Sequence, residues 1–259
     1  MTNDQFIPGW MRVVLPTIGL ALLFAAWQGL AEFVVSDSRL LPTPMQVGSN
    51  LYAWISSGGF MPHLVATVYG SLGGLAIGAG LGFVSGVIVG EVRLLDRAVY
   101  PMALALQAMP IVAIAPLIIV WFGIGLASKM ALVAVGTFFV MFINTVAGMH
   151  AAPAELLDMG RAFGGNRWRV AFTIKIRASL DYVFSGLEVC AALSFILCVV
   201  GEFLAAMAGL GYYLRAASYD IDASSMFAAV LVLAALASLL ALVVRLAHQR
   251  VVFWKYRKN

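Results

Sequence analysis

DMGRAFGGNRWRVAFTIKIR, residues 158–177, places five cationic side chains and a glycine pair inside a chain of 259 residues that is 63% hydrophobic. What surrounds this stretch decides the fold. Only 11% of the residues are charged and the mean hydropathy is +0.97, whereas a soluble domain carries about 25% charged residues. Apolar runs lie near Val13–Val35, Leu64–Gly90, Val99–Phe122, Met130–Met149, Val183–Ala208 and Met226–Val244. Each has about the length a helix needs to cross a bilayer, roughly 20 residues. The reading is an all-α, polytopic membrane protein. It has six transmembrane helices in one domain over 1–259: an extra N-terminal helix near 13–35 and core helices over 64–244. The first run is too long for a signal-peptide core and shows no cleavage site, so it reads as a retained helix.

Basic residues set the orientation, because cytoplasmic loops accumulate Lys and Arg. With the N-terminus inside, the inner segments hold Arg12; Arg93 and Arg97; Arg161, Arg167, Arg169, Lys175 and Arg177; and Arg245, Arg250, Lys255, Arg257 and Lys258. Only Arg39, Lys129 and Arg215 of the 16 cations then fall outside. Both termini are expected in the cytoplasm, with 158–177 in the longest inner loop, about 151–182. The net charge of +4 follows this topology and calls for no nucleic-acid partner. Trp10, Trp254 and Trp121 read as anchors at the two membrane surfaces.

Cys190 and Cys198 are eight residues apart on one expected helix, about 12 Å, too far for a disulfide. His63, His150 and His248 are scattered among membrane edges, so no metal site is expected.

The second run repeats glycine every fourth residue: Gly70, Gly74, Gly78, Gly82, Gly86 and Gly90. On a helix this makes a stripe without side chains that another helix can approach closely. Packing within one subunit and a pore-lining role are both open. The third run carries Pro101, Pro110 and Pro116 and should kink, either statically or as a gate that includes Gln107, Met109 and Pro110. Asn144, Glu188 and Glu202 are the other polar groups at depth. They are candidates for the pathway or for helix-to-helix hydrogen bonds, and Glu202 is placed near enough to the outer end of its run to reach the interface.

Within 158–177 the local signals predict an elbow. Pro153 suits a helix start, and Leu156, Met159 or Gly160, and Phe163 recur at helical spacing. Gly164 and Gly165 end that helix, and Asn166 can cap a second short one. By residue chemistry alone, such a basic corner could bind lipid headgroups or seat in a groove on a soluble partner.

Asp158-Met159-Gly160, three residues, Gly164, nine residues and Ile174-Lys175-Ile176-Arg177 resemble the EAA motif of binding-protein-dependent ABC importer permeases. That motif reads E-A-A, three residues, G, nine residues, I-x-L-P. Asp158 stands for Glu, and Arg177 replaces the final proline, which leaves the exit of the second helix open. LLPTPMQV, HLVATVYGSLGGLAIGAGLGFVSGVIVG, APLIIVWFGIGLASK and GEFLAAMAGLGYYL resemble the nitrate, sulfonate and taurine branch.

The resemblance implies a type I importer permease fold in a bacterial inner membrane. It also implies a second permease copy in a homodimer, two cytosolic ATPase subunits and an external solute-binding protein. The elbow would be the coupling helix, with Asp158, Met159, Gly160, Arg161, Phe163, Gly164, Gly165, Arg167 and Trp168 at the ATPase. The solute would be a small organic anion such as a sulfonate or taurine, or else nitrate; a pyrimidine- or vitamin-like solute is the alternative. Lys129, Lys175, Lys255 and Lys258 follow Ser, Ile, Trp and Arg, so the Gly-Lys of a P-loop is missing. ATP and Mg are therefore expected in the partner ATPase, with no cofactor and no covalent chemistry in this chain. An ion-coupled secondary transporter is the rival, but no inverted repeat is evident.

Overall fold

The computed structural model describes residues 11–253 apart from 36 and 38. Trp10, Trp254 and the cations beyond residue 253 lie outside the described residues. Helices account for the ordered structure: α1 (Met11–Gly29, continued as a π-helix over Leu30–Val35), α2 (Pro44–Ser56), α3 (Phe60–Glu91), α4 (Arg93–Gln107), α5 (Ile111–Phe122) and α6 (Leu126–His150). There follow α7 (Ala154–Ala162), α8 (Arg167–Val170, continued as a π-helix over Ala171–Lys175), α9 (Ile176–Ala205), α10 (Leu210–Tyr219) and α11 (Ala223–Val251). Among the described residues, five continuous helices are long and apolar enough to cross a membrane, or six if α4 and α5, bent at a short break, together count as one span.

The chain forms two compact units. One comprises residues 1–60 and 214–231, the other 61–213 and 232–259. In the first, Trp27 stacks on Phe227 with ring centroids 5.5 Å apart and donates its indole N–H to the Pro42 carbonyl at 3.0 Å. α2 starts at a capping box: Thr43 Oγ1 accepts from Gln46 N at 3.3 Å, and Gln46 Oε1 accepts from Thr43 N at 2.9 Å. Pro44 at the first helical position suits this start.

The second unit is built around α6. Leu132 and Val133 pack against Ala115 and Ile118 of α5 and Leu197 of α9, while Phe142 and Val146 meet Val89 and Ala103. The glycine stripe of α3 is turned toward α6. A Cβ at Gly82 would lie 2.6 Å from the Phe138 carbonyl oxygen, at Gly86 2.7 Å from Thr145 Cβ and at Gly90 2.9 Å from Met149 Cβ. Gly74 faces Val133, Gly78 faces Ala134, and Gly70 faces Cys198 of α9. A Cβ at Gly78 would stand 2.7 Å from the Ala134 Cα, a backbone atom that cannot swing aside.

This geometry separates two substitutions on one helix. Gly78→Leu is expected to lower stability by about 3 kcal/mol, the upper end for overpacking, against a helix-propensity gain of about 1 kcal/mol. Gly80→Leu meets open space and should be neutral or slightly stabilising. Thermal unfolding of the two detergent-solubilised variants checks this; equal midpoints would show that the stripe tolerates side chains.

The third run departs from the expected kink. Instead of one bent helix there are two, turned 97° to each other. Pro110 occupies the N-cap position of α5 and lacks the N–H that would continue α4. The residue before a proline is also biased away from helical geometry. Pro101 and Pro116 sit inside α4 and α5 without ending either. The inner segment between the second and third runs, 91–98, is mostly helical, since Val92 alone separates α3 from α4.

Candidate functional site

Residues 151–175 form the elbow. α7 opens after Pro153 and closes at a glycine corner, where Gly164 N donates to the Arg161 carbonyl at 2.9 Å and Gly165 N to the Gly160 carbonyl at 3.0 Å. Gly164 has φ +77°, a conformation a side chain with a Cβ disfavours. Gly160 lets α7 lie on the second arm: a Cβ there would come 2.8 Å from Ile174 Cδ1. Asn166 caps that arm through its Oδ1, which accepts from Arg169 N at 2.8 Å.

The second arm is not the separate short helix expected from the sequence. α8, the π-helical turn and α9 run on as one helix over Arg167–Ala205. Arg177 keeps the backbone N–H that the motif's proline would lack, so nothing ends the helix there.

The elbow presents apolar side chains outward. Phe163 is 85% exposed, and Leu156, Met159, Trp168 and Phe172 are also exposed. Asp158 makes only a surface ion pair, 3.4 Å from Arg161, of the kind that contributes little.

What anchors the elbow is Glu91, which the sequence reading missed. Its buried carboxylate takes Arg167 Nε at 2.9 Å on one oxygen and Lys175 Nζ at 2.7 Å on the other. Arg167 also donates to the Glu91 main-chain carbonyl. The last residue of α3 is thereby tied to both ends of the elbow's second arm. A signal was present: an acidic residue at the end of a span, on the side that holds the basic elbow.

A second polar centre lies in the same unit at the far end of α9. Glu202 is fully buried, a correction to its expected reach to the interface. Lys129, counted as an outer loop cation, is buried on α6 with its Nζ 3.1 Å from Glu202 Oε1 and 2.8 Å from the Ala208 carbonyl it donates to. Thr67 Oγ1 donates to Glu202 Oε2 at 2.8 Å and accepts from Leu210 N at 2.8 Å, and Gly211 N donates to Glu202 Oε2 at 2.9 Å. His63 Nδ1 accepts from Gly209 N at 3.1 Å. One carboxylate thus joins α3, α6 and α9 to the turn that starts α10.

The other polar candidates do not converge. Gln107, Met109 and Pro110 meet at the bend between α4 and α5, all exposed. Asn144 Nδ2 donates to the Val140 carbonyl of its own helix at 2.8 Å and faces Gly186. Glu188 is part-exposed, 3.9 Å from His248 Nδ1, whose Nε2 meets Asp181 at 3.0 Å. Cys190 and Cys198 are free thiols, both buried. His63, His150 and His248 stand in three separate clusters.

Comparison with known proteins adds the lineage. Residues 78–253 match the family of binding-protein-dependent transport system inner membrane components. A riboflavin transport system permease protein of Chloroflexus aurantiacus is 34% identical over 95% of this chain and 91% of its own. A putative aliphatic sulfonates transport permease protein of Bacillus subtilis is 28% identical (95% and 88%), and the taurine transport system permease protein of Escherichia coli is 26% identical (94% and 90%). Among solved structures, an inward-facing conformation of the MetNI methionine ABC transporter superposes with a TM-score of 0.64 at 19% identity, over 74% of this chain and 98% of that one. The chain therefore belongs to the binding-protein-dependent transport system inner membrane components, as an ABC importer permease with the type I fold, of the branch that holds the sulfonate, taurine and nitrate permeases.

Proposed function

We propose that two copies of this chain form the membrane pathway of an importer powered by two cytosolic ATPase subunits that bind ATP and Mg. An external binding protein delivers the solute, and both termini lie in the cytoplasm. The elbow is the coupling element: closure of the ATPases on ATP draws the two elbows together, and the pathway opens outward. Hydrolysis returns it inward. The single observation carrying this reading is the exposed apolar tip at Phe163, set on a glycine corner and tied by Glu91 to α3. A tip of that kind suits a groove on a protein, and the tie gives its motion a route to the helix carrying the glycine stripe.

For the solute we propose a small heterocycle of vitamin or pyrimidine type, supported by the riboflavin-named relative at 34% identity and a formylaminopyrimidine-named one at 29%. A sulfonate-type anion is the second reading, supported by the relatives at 28% and 26%. Uptake of riboflavin against taurine, with the binding protein present, separates the two.

Gly164→Val tests the coupling role. The valine is strained at φ +77°, yet its Cβ would stand in open space, with no atom beyond the adjoining residues within 4 Å, so membrane yield should stay at the parent level. Strain of about 1–3 kcal/mol should instead weaken ATPase co-purification or coupled uptake by roughly tenfold. Yield, co-purification and substrate-stimulated hydrolysis all at parent levels would remove the docking role from this corner.

A further inference from the structure

We propose that the basic start of α4, beside the elbow and opposite in character to its apolar tip, holds the phosphate of an anionic phospholipid. A cavity of about 750 Å³ opens there, where spans end. It is lined by Gly90 and Glu91 of α3, His150 of α6 and Lys175 below α9. Two spans, α3 and α6, terminate at this cavity, which puts it at the depth of lipid headgroups.

The cavity carries five guanidinium or ammonium groups against two carboxylates. Glu91 already binds Arg167 and Lys175, and Asp96 lies 3.4 Å from His150. Arg161 reaches only the exposed Asp158. That leaves Arg93 and Arg97 as exposed cations one helical turn apart on α4. They lie in the first two turns of a helix whose N-cap, Val92, offers no side-chain oxygen to its free N–H groups. Positive side chains and a helix N-terminus together favour a phosphate.

The source of that phosphate follows from Leu94. It also lines the cavity, is 78% exposed, and sits between the two arginines. A basic helical turn with apolar side chains beside it lies naturally in a membrane interface. Free phosphate would gain nothing from Leu94; an acyl chain would. Protein thus falls to the elbow's apolar tip and lipid to the basic start of α4 beside it. The assignment holds whatever solute is carried and whichever leaflet the elbow faces.

The test uses the assembled permease–ATPase complex in nanodiscs of zwitterionic lipid doped with photoreactive phosphatidylglycerol or photoreactive phosphatidylcholine. In the unmodified complex, crosslinks from phosphatidylglycerol should map to residues 91–97, and those from phosphatidylcholine should not. In Arg93→Gln/Arg97→Gln the phosphatidylglycerol crosslink should fall roughly 30-fold, about fivefold per arginine, and Arg93→Lys/Arg97→Lys should retain most of it. Equal labelling by both lipids, or an unchanged preference in the double Gln variant, overturns the proposal. So does displacement of the label by millimolar inorganic phosphate, which would assign the site to a free anion. Loss of ATPase co-purification in the double Gln variant would assign the arginines to the protein partner and equally overturn it.

Discussion

Glu202→Ala is expected to destabilise the folded chain by about 3–5 kcal/mol, because it strands the buried Lys129 ammonium without a counter-charge. Thr67 and the Gly211 N–H would lose their acceptor as well. At roughly 2–4 °C per kcal/mol for a chain of this size, the unfolding midpoint in detergent should drop by about 10 °C, with reduced membrane yield. Replacing both charges, in Lys129→Met/Glu202→Leu, should recover much of the loss, since an apolar pair of similar volume is often neutral against a buried ion pair. A midpoint within 2 °C of the parent for Glu202→Ala would mean that water reaches this cluster. A double variant as unstable as the single would shift the weight from the ion pair to the carboxylate's bonds with Thr67 and Gly211.

The second large effect is on coupling. Glu91→Ala leaves Arg167 and Lys175 without their carboxylate, but Arg167 is 52% exposed and water will take much of that charge. Stability should therefore fall far less than for Glu202→Ala. Function should fall more. The apolar tip is untouched, so the ATPase should still co-purify, while the second arm keeps only Arg167's bond to the main-chain carbonyl of residue 91 as its polar hold on α3. Uptake per ATP hydrolysed in proteoliposomes should drop at least about tenfold, the scale of one lost charge-assisted hydrogen bond to a buried carboxylate. Glu91→Asp should restore part of it. An uptake-to-hydrolysis ratio equal to the parent's would show that α3 is not moved through this tie. Gly164→Val differs in its signature, because it acts at the docking face before any motion is passed on.

The parts of this molecule that are local in sequence were legible in it. Apolar runs of span length mark α3, α6, α9 and α11, and the four-residue glycine period marks the face of α3 turned to α6. Gly164, Gly165 and Asn166 mark the corner between the elbow's arms. What escaped the sequence depends on partners far along the chain. Lys129 and Glu202 are 73 residues apart, and Lys175 and Glu91 are 84. No periodicity links such pairs, and each residue alone reads as a loop charge or an interface carboxylate. Pro110 announced a disturbance, but its size, 97°, is set by how α4 and α5 pack on α6. The continuous second arm follows from a single departure, Arg177 where the motif has proline. The solute left no local mark at all.

Crosslinking from the elbow tip to the ATPase tests the coupling role most directly. Cys190 and Cys198 are buried, so Phe163→Cys adds one accessible thiol at the most exposed point of the corner. α9 spans about 45 Å, which places Met207, 83% exposed just beyond its far end, as the control. In membranes holding the co-expressed ATPase, a thiol-to-amine crosslinker should give a permease–ATPase adduct from Phe163→Cys and none from Met207→Cys. An adduct from Met207→Cys instead, or none from Phe163→Cys in a complex that still co-purifies, would contradict docking at the elbow.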